Sequence, residues 1–215
     1  MTILITAGPT REAIDPVRFL TNRSSGKMGY ALARTAAEQG HRVILISGPT
    51  DLDVPDRVDF IPVESTMEMY AAVEHRIAKA DVAIFAAAVA DYRPAHVSEE
   101  KIKKTGGTMT LELVRNPDIL GSARNQFAYQ GVLVGFAAET EDLEENARSK
   151  LESKGCDLVV ANDVSRKDIG FDVNDNEVLL VFPDRTEQPP KDTKQHLAHI
   201  ILEHIIELTP VGGPN

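Results

Sequence analysis

The chain has no tryptophan, a single cysteine, and only 23 lysines and arginines against 33 aspartates and glutamates. Each scarcity excludes something. One thiol, Cys156, cannot build a disulfide framework and has no cysteine partner for a metal site; it reads as a small buried apolar residue entering a strand at 157. A formal net charge of −10 argues against nucleic acid, whose binding depends on neutralising phosphates with Lys and Arg. No apolar run approaches the roughly 20 residues needed to cross a bilayer. The opening MTILITAGPTRE passes into a strand pattern without a basic segment or cleavage site, so a cytosolic protein is expected. In that setting the sequon Asn22-Arg23-Ser24 carries no meaning.

What is present is an alternation. Ile3–Thr6, Arg42–Ser47, Val58–Val63, Val82–Ala88, Gly131–Phe136, Leu158–Ala161 and Glu177–Phe182 read as strands. Gly26–Gly40, Thr66–Ala78, Asp118–Phe127, Glu141–Lys154 and Thr193–Leu208 read as helices, the third entered through Pro117 at its first position with Asn116 as cap. Strand and helix in alternation predict an α/β fold, an open, mostly parallel Rossmann-like sheet with helices on both faces. A single domain over 1–208 is expected, followed by a flexible tail at 209–215. Such sheets bind ligands beyond the carboxyl ends of their strands, and polar segments follow them here: GPTRE, SGPTD, ADYRP and NDVS. Two stretches break the rhythm. Residues 7–25 form a long connection that calls for a functional reason, and residues 91–116 suggest an exposed flap.

The segment TNRSSGKMGY (21–30) resembles a phosphate loop but satisfies neither glycine-rich template. Thr21 and Met28 break the P-loop pattern, and Ser24 stands where the dinucleotide fingerprint needs its first glycine. It nevertheless opens a helix, where free amides and the helix dipole favour an anion, so Gly8, Ser24 and Gly26 are candidate phosphate cradles. Arg11, Arg18, Arg23 and Lys27 form one local basic group and Lys101, Lys103 and Lys104 a second, each able to focus field on an anion within an acidic protein. Other patterns are weaker. Asp172, Asn174 and Asn176 imitate a calcium loop but lack its glycine and its terminal glutamate. His196, His199 and His204 have spacings too loose for a zinc motif and read as surface residues.

The segments ITAGPTRE, NRSSGKMG, AAAVADYRP, KIKK, NPDIL, VGFAAET, ANDVS and GFDVNDNEV occur in one order across residues 2–208. That order resembles bacterial phosphopantothenoylcysteine synthetase, also called phosphopantothenate-cysteine ligase, the C-terminal half of a bifunctional coenzyme A biosynthesis protein. The resemblance implies a ligase for which 4'-phosphopantothenate attacks CTP to give an acyl-cytidylate and pyrophosphate, and L-cysteine then displaces CMP to form an amide. CTP and Mg2+ are the implied cosubstrate and cofactor. Asn22 matches the family's active-site asparagine, expected to donate to the oxyanion of the second step, and Lys101 the lysine of the first. Ala87 matches a substrate-binding position. Asp91, Lys101, Pro117, Asp118, Ile119, Leu120, Phe136, Lys150 and Lys154 match nucleotide-binding positions. The flap at about 92–112 is implied to close on the site and to help form a homodimer. Arg23, where relatives often carry His, is a departure, and the family's flavin-dependent decarboxylase half is absent from this sequence. The alternatives are an ATP-preferring synthetase of the same reaction and, from another class, an NAD(P)-binding oxidoreductase or nucleotide sensor on the same fold.

Overall fold

The computed structural model describes residues 1–104, 106–163 and 175–209. The chain begins with β1 (Thr2–Ala7), a small hairpin of β2 (Arg11–Ala13) and β3 (Phe19–Thr21), and helix α1 (Lys27–Glu38). Next come β4 (Arg42–Ser47), β5 (Val58–Pro62), α2 (Thr66–Glu74) and β6 (Val82–Phe85), then a second hairpin of β7 (Tyr92–Pro94) and β8 (Leu113–Arg115). The remainder runs α3 (Ile119–Asn125), β9 (Val132–Glu139), α4 (Leu143–Lys154), β10 (Leu158–Asp163), β11 (Asp175–Asn176), β12 (Leu179–Val181), β13 (Thr186–Glu187), β14 (Asp192–Thr193) and α5 (Lys194–Leu208).

The main sheet has the order β13-β12-β10-β9-β6-β1-β4-β5. It is parallel from β5 to β10 and ends in two antiparallel strands, β12 and β13. From β1 the chain moves outward through α1 to β4 and β5, then returns through α2 to β6 on the other side of β1. The order therefore reverses between β1 and β6, the place where open α/β sheets take ligands.

Pleating sends alternate side chains to opposite faces. Ile3, Ile5 and Ala7 of β1 join the core under α1 and α5, whereas Leu4 joins the core under α2, α3 and α4. Both faces are thus covered, which is why β1, β4 and β6 read as continuous apolar runs. Helix α1 lies unusually close to its strand. A Cβ added to Gly29 would sit 2.6 Å from Ala7 Cβ, so only glycine allows this approach. Cys156 is 5 % exposed, and burial pushes its thiol up to about 12, as befits an inert packing residue.

Several boundaries differ from the sequence expectation. The connection at 7–25 contains the β2–β3 hairpin, whose three-residue strands are too short to show a period. The flap is tied at its base by β7–β8, with Tyr92 opposite Arg115. The helix expected over 66–78 stops at Glu74 and gives way to a 3-10 turn, Ile77–Lys79. Helix α3 starts at Ile119 with Asp118 as its cap, not at Pro117 with Asn116. The Asp118 carboxylate reaches the Gly121 N–H at 3.0 Å, a bond that Asn116 is drawn away from by partners elsewhere. His204 is half-buried, its ring edge against Phe182 at 5.6 Å between centroids, rather than on the surface. Asp172 and Asn174, Val164 and Ser165 of the NDVS segment, and the tail beyond Thr209 lie outside the described residues.

The tight seat of α1 on β1 makes Gly29→Ala an overpacking substitution at a helical site that otherwise favours alanine. It should cost about 1–3 kcal/mol, measured as a lower urea midpoint with an unchanged slope.

Candidate functional site

The carboxyl ends of β6, β9 and β10 and the start of α1 open into a cleft of about 110 Å³. Its walls are residues 24–29 at the start of α1, residues 86–88 after β6, residues 136–138 of β9, and Asn162, Asn176 and Lys194. Hydrogen bonds that continue the β1–β6 pairing hold residues 86–88 in the cleft wall. Ala86 N–H donates to Thr6 O (3.1 Å), Ala88 N–H to Gly8 O (2.9 Å) and Thr10 N–H to Ala88 O (3.2 Å). Side chains complete the set, as Ala87 N–H donates to Thr6 Oγ1 (3.3 Å) and Ala90 N–H to Thr10 Oγ1 (3.0 Å). Beneath them Glu12, 3 % exposed, accepts from the N–H (2.9 Å) and hydroxyl (2.7 Å) of Thr66, locking the first hairpin to the start of α2.

Gly26 caps α1 with φ 76°, a left-handed conformation, and offers no side chain to the helix end. The positive end of the dipole therefore faces the cleft. Gly8, also left-handed at φ 69°, packs behind Gly26, where an added Cβ would meet Gly48 O at 2.8 Å. Ser24 and Gly26 line the cleft; Gly8 does not, and its work is steric.

Asn22 leaves the first hairpin just before the cleft. Its Nδ2 donates to the carbonyls of Ala88 (3.1 Å) and Val89 (3.2 Å). The donor capacity expected for an oxyanion is therefore spent on fixing the 88–89 turn, and Oδ1 is the atom left to face a ligand. Ala87 lines the cleft, but its N–H is already used, so its small side chain opens an apolar surface rather than a free amide.

A second group adjoins the cleft through Phe136. Lys150 Nζ donates to Phe136 O (2.6 Å), and Lys154 Nζ pairs with Asp118 Oδ2 (2.6 Å). Burial pulls the Lys150 ammonium below the usual lysine range, with Glu139 opposing the shift. Burial raises the Asp118 pKa, but the Lys154 hydrogen bond and the Gly121 N–H outweigh it and hold the carboxyl below its ordinary value. Pro117, Asp118, Ile119, Leu120, Phe136, Lys150 and Lys154 are thus brought together by α3, β9 and α4. Ile119 and Leu120 turn inward, 4 % and 9 % exposed, so they form the floor of this patch.

Residues 1–208 match the family described as DNA/pantothenate metabolism flavoprotein C-terminal domain. The chain belongs to that family. It is 51% identical over 205 residues to the coenzyme A biosynthesis bifunctional protein CoaBC of Vibrio vulnificus, covering 94% of this chain and 51% of the relative. With the CoaBC of Bacillus subtilis it shares 49% identity over 213 residues, covering 98% and 52% respectively. The chain therefore spans about half the length of the curated relatives it matches. A crystal structure of the C-terminal domain of CoaBC superimposes with a TM-score of 0.82 at 43% identity, covering 96% of this chain and 94% of that one.

In this family member, Asp91 and Lys101 are exposed and stand outside the cleft wall. The Asp91 carbonyl is held by the N–H of Asn116 (2.8 Å), and Asn116 also bonds Ala90 O (2.8 Å) and Arg93 (2.9 Å), which fixes the flap's base. Lys194 escaped the sequence reading, and Asn162 and Asn176 enter it only inside the segments ANDVS and GFDVNDNEV, without a site role of their own. Asn176, whose spacing imitates a calcium loop, is 4 % exposed and lines the cleft, and among the described residues its Oδ1 has no hydrogen-bond partner. Among the described residues no group of three or more His, Cys, Asp or Glu could hold a metal, and no helix is long and apolar enough to cross a membrane.

Glu12→Ala leaves the Thr66 N–H and hydroxyl without their buried acceptor. The loss should be about 1–3 kcal/mol, read from chemical denaturation, with Glu12→Gln recovering part of it.

Proposed function

We propose that this domain joins 4'-phosphopantothenate to L-cysteine in coenzyme A biosynthesis, through an acyl-cytidylate formed from CTP. One observation carries the reading: segments scattered over more than a hundred residues, SSGKMG, AAAVAD and GFAAE, converge on a single cleft at the switch point of a domain in the CoaBC family. The site is suited to bringing two anions together. The start of α1 favours a phosphate, and the patch around Phe136, Lys150 and Lys154 fits a nucleotide beside it.

In the first step the substrate carboxylate attacks the α-phosphate of CTP and pyrophosphate leaves. Lys101 offsets charge on the transferring phosphate. In the second, the cysteine amine attacks the acyl carbon and CMP departs. Asn22 keeps the 88–89 turn in place, and its Oδ1 is an acceptor for the attacking amine's N–H. Mg2+ fits as an ion carried chiefly by the nucleotide's phosphates, which requires at most one or two protein carboxylates; it would offset charge on those phosphates. The alternative nucleotide is ATP.

A homodimer is the proposed assembly. Support comes from the two neighbouring hairpins, which expose Val17, Phe19, Tyr92, Val97, Leu113 and Val114. The proposed setting is the cytosol, and the length missing relative to CoaBC would hold the flavin-dependent decarboxylase.

Pyrophosphate release measured with CTP, ATP, UTP and GTP, in the presence of both other substrates, tests the reaction and the nucleotide together. CTP should be the best by at least tenfold; equal rates would remove the CTP assignment, and tight NADPH binding without turnover would remove the ligase. Asn22→Asp places a carboxylate against two carbonyls, so it should still form acyl-cytidylate yet accumulate it. Lys101→Gln should suppress pyrophosphate release itself.

A further inference from the structure

Asp15 lies at the tip of the first hairpin with a side chain that is 0% exposed. Its carboxylate gathers donors from two distant parts of the chain. Oδ1 accepts the N–H groups of Val17 and Arg18, both at 2.9 Å. Oδ2 accepts the Arg18 guanidinium and, across 87 positions of sequence, the N–H of Ile102 at 3.1 Å. Arg18 Nη2 also donates to Ile102 O at 2.8 Å. Both peptide groups of Ile102 are therefore held by one ion pair, and Ser98 N–H adds a bond to Ile14 O at 3.0 Å.

The turn alone does not require this arrangement. Val17 and Arg18 would satisfy an ordinary aspartate turn, yet the carboxylate is buried under the flap segment and grips it. Burial disfavours the charged form of Asp15, but the bonds from Arg18, Val17 and Ile102 outweigh it and hold the carboxyl well below the usual range. The clamp thus stays ionised through the neutral range. Ile102 is the neighbour of Lys101, in a segment without helix or strand of its own. The same hairpin that bears Asp15 at its tip runs through β3 into Asn22.

We propose that Asp15, with Arg18, positions Lys101 for the first half-reaction by fixing the main chain of Ile102 to the hairpin that leads into Asn22. The inference rests on the proposed function, in which Lys101 acts on the nucleotide. Neither Asp15 nor Arg18 is assigned a contact with substrate; both act through the lysine.

The test compares the full chain with Asp15→Asn, Arg18→Lys, Lys101→Gln and the Asp15→Asn/Lys101→Gln double variant. Asp15→Asn should slow CTP-dependent pyrophosphate release on the order of 10- to 100-fold, the scale of a misplaced catalytic group. Arg18→Lys keeps the charge but not the fork that holds carboxylate and carbonyl at once, so it should fall in the same direction by less, and it carries the test if Asp15→Asn does not fold. The double variant should be no slower than Lys101→Gln alone, because groups acting through one residue are not additive. Amide exchange at Ile102 should quicken in Asp15→Asn while β1 and β6 stay protected.

Losses that multiply in the double variant, or full activity in Asp15→Asn beside an active parent, overturn the positioning role and leave the proposed function intact. A parent that releases no pyrophosphate with CTP, phosphopantothenate and cysteine sinks the proposed function, and the positioning role falls with it.

Discussion

The parallel pairing of β1 with β6 does not end where the strands end. Thr6 and Gly8 accept from Ala86 and Ala88, and the pairing then closes back through the Thr10 N–H. Two loops that would otherwise need to find each other are thereby held in register by main-chain bonds. Several residues beside the cleft are tied to this frame. Asn22 bonds to the carbonyls of the same turn, Asn116 to the carbonyl of Ala90, and Thr21 Oγ1 to Thr10 O at 2.7 Å. Loops at strand ends are usually the most mobile part of an α/β domain. Here their polar groups are paired before any ligand arrives, so little ordering entropy remains to be spent on binding.

The glycines of SSGKMG illustrate how packing and chemistry share residues. Gly29 permits α1 to rest on Ala7, and Gly26 turns the chain into α1 while lying against Gly8. Both requirements are steric and would exist without a ligand. Their consequence is that the helix starts directly over the strand ends, with its dipole aimed at the cleft. A phosphate cradle is the by-product of close packing, which explains why the segment resembles known phosphate loops without satisfying either template.

Much of this fold was legible because long apolar runs and capped helices signal themselves. Arg42–Ser47 was read to the residue, and α5 within one position. Short hairpins were not legible, since three residues such as Phe19–Thr21 show no period and gain their pairing from tertiary contacts. The site divided in the same way. Ser24, Gly26, Ala87 and Phe136 stood in segments of distinctive wording, and the cleft unites them. Asp15 and Lys194 did not stand out, because a buried polar residue looks in sequence like any surface one. Its identity is set by partners tens of positions away, and spacing alone cannot reveal them. The cap of α3 failed for a related reason: Asn116 and Asp118 are both good caps, and only the tertiary bonds of Asn116 to Ala90 and Arg93 decide between them.

An acidic protein proposed to join two anions faces a field of the wrong sign, and the arrangement of its cations answers this locally. Lys154 rests on Asp118, Lys150 on the Phe136 carbonyl, Arg18 on Asp15 and Arg93 on Asn116. Freezing a free lysine or arginine costs about 2 kcal/mol of rotamer entropy. Cations already held by carboxylates and carbonyls have met that cost in folding. Their partners also set how much charge each can offer. Lys154 is paired with the Asp118 carboxylate until a ligand competes for it, whereas Lys150 is held by a carbonyl, with burial weakening its charge and Glu139 supporting it. Burial of Lys150 acts both ways: low polarity strengthens each interaction its charge makes and disfavours the charge itself. The net charge of the chain then matters for repelling the wrong partners, and the placement of a few restrained cations for admitting the right ones.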